Sequence, residues 1–233
     1  MSRRHPRDKD SGKRSGLSIR SFAPKTENQE KVFSAFSEEM NLLLTGTPGT
    51  GKTFVSIYLG LKAVEEKRFK KVIIVRSAVP TRDIGFLPGN IADKQRAYEI
   101  PYRAMCSEIY GRGDAYDVLR TKEMIDFVTT SYVRGTTITD SLVLVDEMQN
   151  MSDHEIHSVM TRLGEGCSVV FCGDFGQKDL RKEESGYARF VSIAARMKSF
   201  TRIDFGVDDI VRGELVREYI LARERHASED TRT

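Results

Sequence analysis

The octapeptide Gly46-Thr47-Pro48-Gly49-Thr50-Gly51-Lys52-Thr53 restricts this chain more than any other stretch of it. Its spacing is G-x-x-x-x-G-K-T, in which glycines let the main chain curl until successive N–H groups face a single anion. In such a curl Lys52 reaches the β- and γ-phosphates of a nucleotide, and the Thr53 hydroxyl reaches a Mg2+ ion. The flanks supply what the curl requires. Asn41-Leu42-Leu43-Leu44-Thr45 is a continuous apolar run with the length of a buried parallel strand. Residues 53–64 read as a mostly buried helix that ends in the charged run Glu65-Glu66-Lys67-Arg68. Strand, glycine loop and helix N-terminus together make an anion site. A tight glycine turn beside a surface lysine, the bland alternative, needs neither flank.

Further apolar runs set the architecture. Lys71-Val72-Ile73-Ile74-Val75-Arg76 reads as a second buried strand, Asp126-Phe127-Val128-Thr129 as a short one, and residues 141–146, 168–172 and 201–205 as three more. Between them lie helical patterns: residues 26–40, residues 91–125 with a break at Pro101, a helix opened by the capping box Ser152-Asp153-His154-Glu155 and stopped at Gly164, and a closing helix over 208–225. Strands that alternate with helices imply an α/β fold, a mostly parallel sheet with helices on both faces. Residues 1–21 are rich in Arg, Lys, Ser and Gly and read as a disordered basic tail, either a solvated arm or one that brushes phosphates. Residues 22–225 read as a single domain and 226–233 as a disordered C-terminal tail.

With 233 residues there is room for one sizeable α/β domain. No apolar run approaches the roughly 18 residues that cross a bilayer, so no membrane partner is expected. The basic N-terminus is followed by no apolar stretch, unlike a secretory signal. Cys106, Cys167 and Cys172 lack C-x-x-C spacing and read as incidental thiols of a reducing compartment, hence a cytoplasmic protein. A net charge of only +3 leaves any nucleic-acid binding to local patches.

Two more motifs carry chemistry. Leu142-Val143-Leu144-Val145-Asp146-Glu147 delivers two carboxylates to the carboxyl edge of the sheet, where open α/β folds bind ligands. Asp146 suits the Mg2+ shell and Glu147 the polarisation of an attacking water. Adjacent carboxylates at a strand end are costly without a cation to share, which weighs against a simple helix-capping pair. Gly173-Asp174-Phe175-Gly176-Gln177 repeats the logic on the next strand, with the neutral, bidentate amide of Gln177 placed to hold a water or a phosphate oxygen.

These three motifs together resemble the first nucleotide-binding, RecA-like domain of superfamily-one helicases and, more closely, the PhoH-like ATPases. Arg76-Ser77-Ala78-Val79, Gly85-Phe86-Leu87-Pro88-Gly89, residues 132–138, residues 161–164 and Asp209-Ile210-Val211-Arg212 extend the likeness over about residues 26–222. The resemblance implies a P-loop NTPase that binds ATP and Mg2+. Gln29 would read the adenine edge; Gly46, Thr47, Pro48, Gly49, Thr50, Gly51, Lys52 and Thr53 would hold phosphates, with Thr53 and Asp146 on the metal. Glu147 would be the catalytic carboxylate and Gln177 the γ-phosphate sensor. Arg134 and Arg212 would contact phosphate, Arg212 as an arginine finger across a subunit boundary. Ser77 and Met148 stand where the family usually has proline and alanine, and no proline follows Leu180; these departures bear on loop geometry. A second motor domain is absent from the sequence, so strand movement would need a homo-oligomer, expected as a ring such as a hexamer.

Residues 92–112 place Lys94, Arg96, Arg103 and Arg112 among Tyr98, Tyr102 and Tyr110. That pattern suits either base stacking on single-stranded RNA or DNA or an amphipathic helix with core tyrosines. His154 and His157, one turn apart, lack a third ligand and read as a solvated face. Three functions remain open: ATP hydrolysis coupled to single-stranded nucleic acid, a nucleotide-gated binding module with little turnover, and a small-molecule kinase. No N-K-x-D segment appears, which disfavours guanine.

Overall fold

The computed structural model describes residues 17–77, 91–133, 135–174 and 185–230. In chain order they form α1 (Glu27–Ser37), β1 (Asn41–Gly46), α2 (Lys52–Glu65), β2 (Lys71–Arg76), α3 (Ile91–Tyr110), α4 (Ala115–Thr121), β3 (Ile125–Thr129), α5 (Thr130–Val133), β4 (Ser141–Val145), α6 (Asp153–Met160), β5 (Ser168–Gly173), α7 (Tyr187–Ala194), β6 (Phe200–Phe205) and α8 (Glu214–Asp230). Single 3-10 turns at Met148–Asn150 and Val207–Asp209 follow β4 and β6.

The six strands make one sheet in the order β3-β2-β4-β5-β1-β6, and every pairing is parallel. Successive strand side chains point to opposite faces, so each apolar run feeds two cores. Leu42, Leu44, Val72, Ile74, Leu142 and Leu144 face the layer built by α1 to α4. Leu43, Ile73, Val143, Val145, Val169 and Phe171 face the layer of α6 and α7. Burial on both faces is why these strands read as unbroken apolar runs. Close packing of α2 requires its mid-helix glycine: a Cβ on Gly60 would stand 2.5 Å from Leu142 Cδ2. Among the described residues no helix is long and apolar enough to cross a membrane.

Several boundaries differ from the sequence reading. Helix α3 runs through Pro101 without a break. Proline forfeits one i to i−4 hydrogen bond, and the turns beyond it are held by the buried Tyr102, Cys106 and Ile109. Helix α6 stops at Met160, not Gly164, whose N–H instead bonds Ile138 O at 2.7 Å. Helix α8 opens at Glu214 and continues to Asp230, so residues 226–230 are helical and not a disordered tail. At the other end, Leu17 and Ile19 pack on the core and Arg20 N–H bonds Ile109 O at 2.9 Å, so the disordered basic tail cannot extend to residue 21.

Candidate nucleotide site

The phosphate loop leaves β1 at the carboxyl edge of the sheet and enters α2 at Lys52. Gly46, Gly49 and Gly51 all take positive φ, and two of them show why no other residue serves. A Cβ on Gly46 would lie 2.0 Å from Phe205 O, the carbonyl that accepts the Thr47 N–H at 3.0 Å. Gly51, at φ 85°, turns the chain into the helix. The first N–H groups of α2 have no partners within the helix and carry the positive end of its dipole.

Lys52 is buried, and its ammonium bends back onto the loop, donating to Gly46 O (2.9 Å), Thr47 O (2.7 Å) and Thr50 Oγ1 (3.3 Å). Burial lowers its pKa, against the opposing pull of Cys172, Asp174, Glu147 and Asp146. Thr53 Oγ1 donates to Asp146 Oδ1 at 2.9 Å, which joins the helix start to the end of β4. Those two hard oxygen donors at the mouth of an anion site fit a Mg2+ shell.

Asp146 and Glu147 are consecutive, yet both line the same cleft of about 220 Å3. On a continuing strand they would face opposite ways. Glu147 takes a left-handed conformation, φ 54° and ψ 42°, and the 3-10 turn after it returns Asn150 N–H to Glu147 O at 2.9 Å. The Gln149 amide, fully buried, donates to Glu147 Oε2 and accepts from Asp174 N–H at 3.0 Å. Burial and the neighbouring Asp146 raise the Glu147 pKa, against Arg76 and Gln149. A carboxylate raised in this way is a better proton acceptor at neutral pH.

A second compartment of about 390 Å3 shares Gly49, Gly51, Phe54, Met105 and Arg212 with the first, and Phe22, Phe33 and Tyr58 make it largely apolar. Gln29 lines it at 4% exposure. Its Oε1 accepts from Lys25 N–H at 2.8 Å and its Nε2 donates to Thr50 O at 2.9 Å. Each end of the amide keeps one further hydrogen-bonding valence.

Arg212 lies beside its own phosphate loop. Val211 N–H bonds Gly49 O at 3.1 Å, and Arg212 Cγ would be 3.0 Å from a Cβ on Gly49. Asp209 sets this placement, its Oδ2 accepting from Asn28 Nδ2 (2.7 Å) and Gly206 N–H (2.9 Å). The arginine expected to reach across a subunit boundary thus lines the cleft of the chain that carries it. Gln177 and Arg134 fall outside the described residues.

The fold is that of P-loop NTPases. Aligned on 84% of this chain and 50% of the other, it superposes on the large terminase of a thermophilic bacteriophage with a TM-score of 0.55 at 12% identity. Residues 21–224 match the family model described as PhoH-like protein. The chain belongs to the PhoH-like family. It is 30% identical to the PhoH-like protein of Bacillus subtilis over 208 residues, 88% of this chain and 65% of that protein. It is 31% identical to the PhoH-like protein of Mycobacterium tuberculosis over 217 residues, 91% of this chain and 60% of that one. The chain therefore spans somewhat under two thirds of these PhoH-like relatives.

No sequence motif assigns a role to two further participants. Arg76 ends β2, beside β4, where the register Val75↔Val145 sets it next to Asp146. Burial alone would lower its pKa, but Tyr102, Glu147 and Asp146 more than offset this. A basic residue closing an apolar strand was the available signal. Tyr102 is the other: fully buried on α3, it donates its hydroxyl to Asp146 Oδ2 at 2.8 Å. Tyr110 is buried too, its hydroxyl on Glu65, so neither tyrosine is available to stack on bases. His154 and His157 are exposed on α6, and among the described residues no acidic, histidine or cysteine group of three could hold a metal. Burial pushes the Cys106 thiol up to about 12 and that of Cys172 higher still, which leaves both unreactive.

Proposed function

We propose that this PhoH-like chain hydrolyses ATP with Mg2+, water being the acceptor. The observation that carries the reading is that Lys52, Thr53, Asp146 and Glu147 meet in one cleft at the carboxyl edge of a parallel sheet. The loop N–H groups and Lys52 bind and orient the phosphates, Thr53 and Asp146 hold the metal shell, and Glu147 takes the proton of the attacking water. A Mg2+ ion held by Thr53 and Asp146 would neutralise the charge that develops on the phosphate oxygens. The apolar compartment takes the base beside Gln29, and Arg212 adds positive charge from the same chain. Gln177 fits the γ-phosphate sensor and Arg134 a phosphate contact, on sequence alone.

Coupling to single-stranded RNA or DNA, in a homo-oligomeric ring, is the finer part of the proposal. The tyrosine that supports it is Tyr132, 55% exposed on α5 at the carboxyl edge of the sheet. Lys52→Ala abolishes nucleotide binding, whereas Glu147→Gln binds ATP and releases no phosphate. Hydrolysis by Glu147→Gln at the wild-type rate refutes the assignment. Single-stranded RNA or DNA raises phosphate release by the wild type, and a flat response to both removes the coupling.

A further inference from the structure

The cleft contains a brace that the phosphate motifs do not include. Asp146 is held at both oxygens. Oδ1 accepts from Thr53 Oγ1 at 2.9 Å and Oδ2 accepts from the Tyr102 hydroxyl at 2.8 Å. The first donor belongs to the phosphate loop helix. The second arrives from α3, 44 residues away in sequence. Although burial alone would lower its pKa, the Arg76 guanidinium lies close enough to Tyr102 and Asp146 for their negative charge to raise it. The Tyr102 hydroxyl has a single proton, and it is committed to Asp146. Arg76 is steadied in turn by the Tyr98 ring, 5.5 Å from guanidinium carbon to ring centre. The Tyr102 ring lies against Phe127 of β3, with centres 5.7 Å apart.

Resting on the ATPase reading above, we infer that Tyr102 is a positioning residue for the metal carboxylate, one that makes α3 part of the Mg2+ site. A carboxylate gripped at one oxygen rotates about its terminal torsion, which has a broad profile. Gripped at both, Asp146 presents a fixed lone pair toward the metal shell. Partners behind metal ligands typically account for 10–100-fold in metal affinity. Tyr102 itself lines neither compartment of the cleft.

Tyr102→Phe removes the hydroxyl and keeps the ring on Phe127. The measurement is the affinity for fluorescent ADP with excess Mg2+ and with EDTA. Tyr102→Phe lowers the Mg2+-dependent gain in affinity about 10-fold, while the EDTA value stays within about twofold of wild type. Turnover falls too and recovers at high Mg2+. Phe127→Leu, which loosens the packing and leaves the hydrogen bond, lowers the melting temperature without changing the Mg2+-dependent gain. A wild-type gain in Tyr102→Phe overturns the inference and leaves the ATPase reading intact. An equal loss in Phe127→Leu also overturns it, by reducing the effect to packing. Absence of ADP binding in the wild type removes both.

Discussion

Glu155 offers a measurable test of how the carboxyl edge of the sheet is assembled. Its carboxylate closes the capping box of α6 and also binds the ends of two strands. Oε2 accepts from Ser152 N–H and Ser152 Oγ, each at 2.9 Å. Oε1 accepts from Ser77 Oγ at 2.8 Å, just past β2, and from Thr130 Oγ1, just past β3. In Glu155→Gln the amide oxygen can satisfy only one pair of donors. A hydroxyl can rotate to accept from the new NH2 group, but the Ser152 N–H cannot. With the amide oxygen toward the Ser152 N–H and the NH2 group toward the Ser77 and Thr130 hydroxyls, the bonds can be kept but all lose their charge, a gross cost of about 1.5–3 kcal/mol. The side chain is partly exposed, so solvent screening reduces this to about 1–2 kcal/mol. For a domain of this size that is a fall of roughly 2–8 °C in Tm.

The pH dependence has a definite sign. Burial alone would raise the Glu155 pKa, but the bonds from Thr130, Ser152 and Ser77 outweigh it and hold it below the ordinary value. A depressed folded pKa contributes stability above the unfolded value, about 4.3, and that stability is lost as pH falls through the folded value. Urea midpoints of wild type and Glu155→Gln at pH 7, 5 and 3.5 follow this. The gap is full at pH 7 and 5 and narrows below about pH 4. Equal midpoints at pH 7, or a gap that widens on acidification, refute the reasoning.

Gly60→Ala tests the approach of α2 to the sheet. Alanine gains about 1 kcal/mol in helix propensity, while overpacking against Leu142 costs about 1–3 kcal/mol. A net loss of about 1 kcal/mol is expected in urea denaturation, relieved by Leu142→Val in the double variant, and a stabilised single variant contradicts it. Arg212→Ala weakens nucleotide binding several-fold in its own chain. Mixed with Lys52→Ala, it regains no phosphate release if the arginine serves its own cleft, and restored activity in the mixture shows service to a neighbour.

The parts legible in the sequence are those whose signal is local. The phosphate loop declares itself because its glycines are required by its own main chain, as at Gly46 under the Phe205 carbonyl. The apolar runs of β1, β2, β4 and β5 read as strands because each is buried on both faces. What stays hidden depends on distant neighbours. Arg76 and Tyr102 acquire their roles from strand register and from a helix that crosses the sheet. Pro101 reads as a break because the local rule sees one missing donor and not the buried turns that follow. That Arg212 lines the cleft of its own chain could not be read locally either, because the Asp209–Asn28 bond beside it joins positions 181 apart.

The folded-back posture of Lys52 has a kinetic consequence. Its ammonium is moored on Gly46, Thr47 and Thr50, so the loop itself competes for the lysine with the phosphates of the proposed substrate. An arriving triphosphate gains only the surplus over those moorings, so the lysine tempers affinity as well as creating it. In the proposed ATPase cycle the competition runs the other way on departure, because the amine has a ready berth on the same three oxygens.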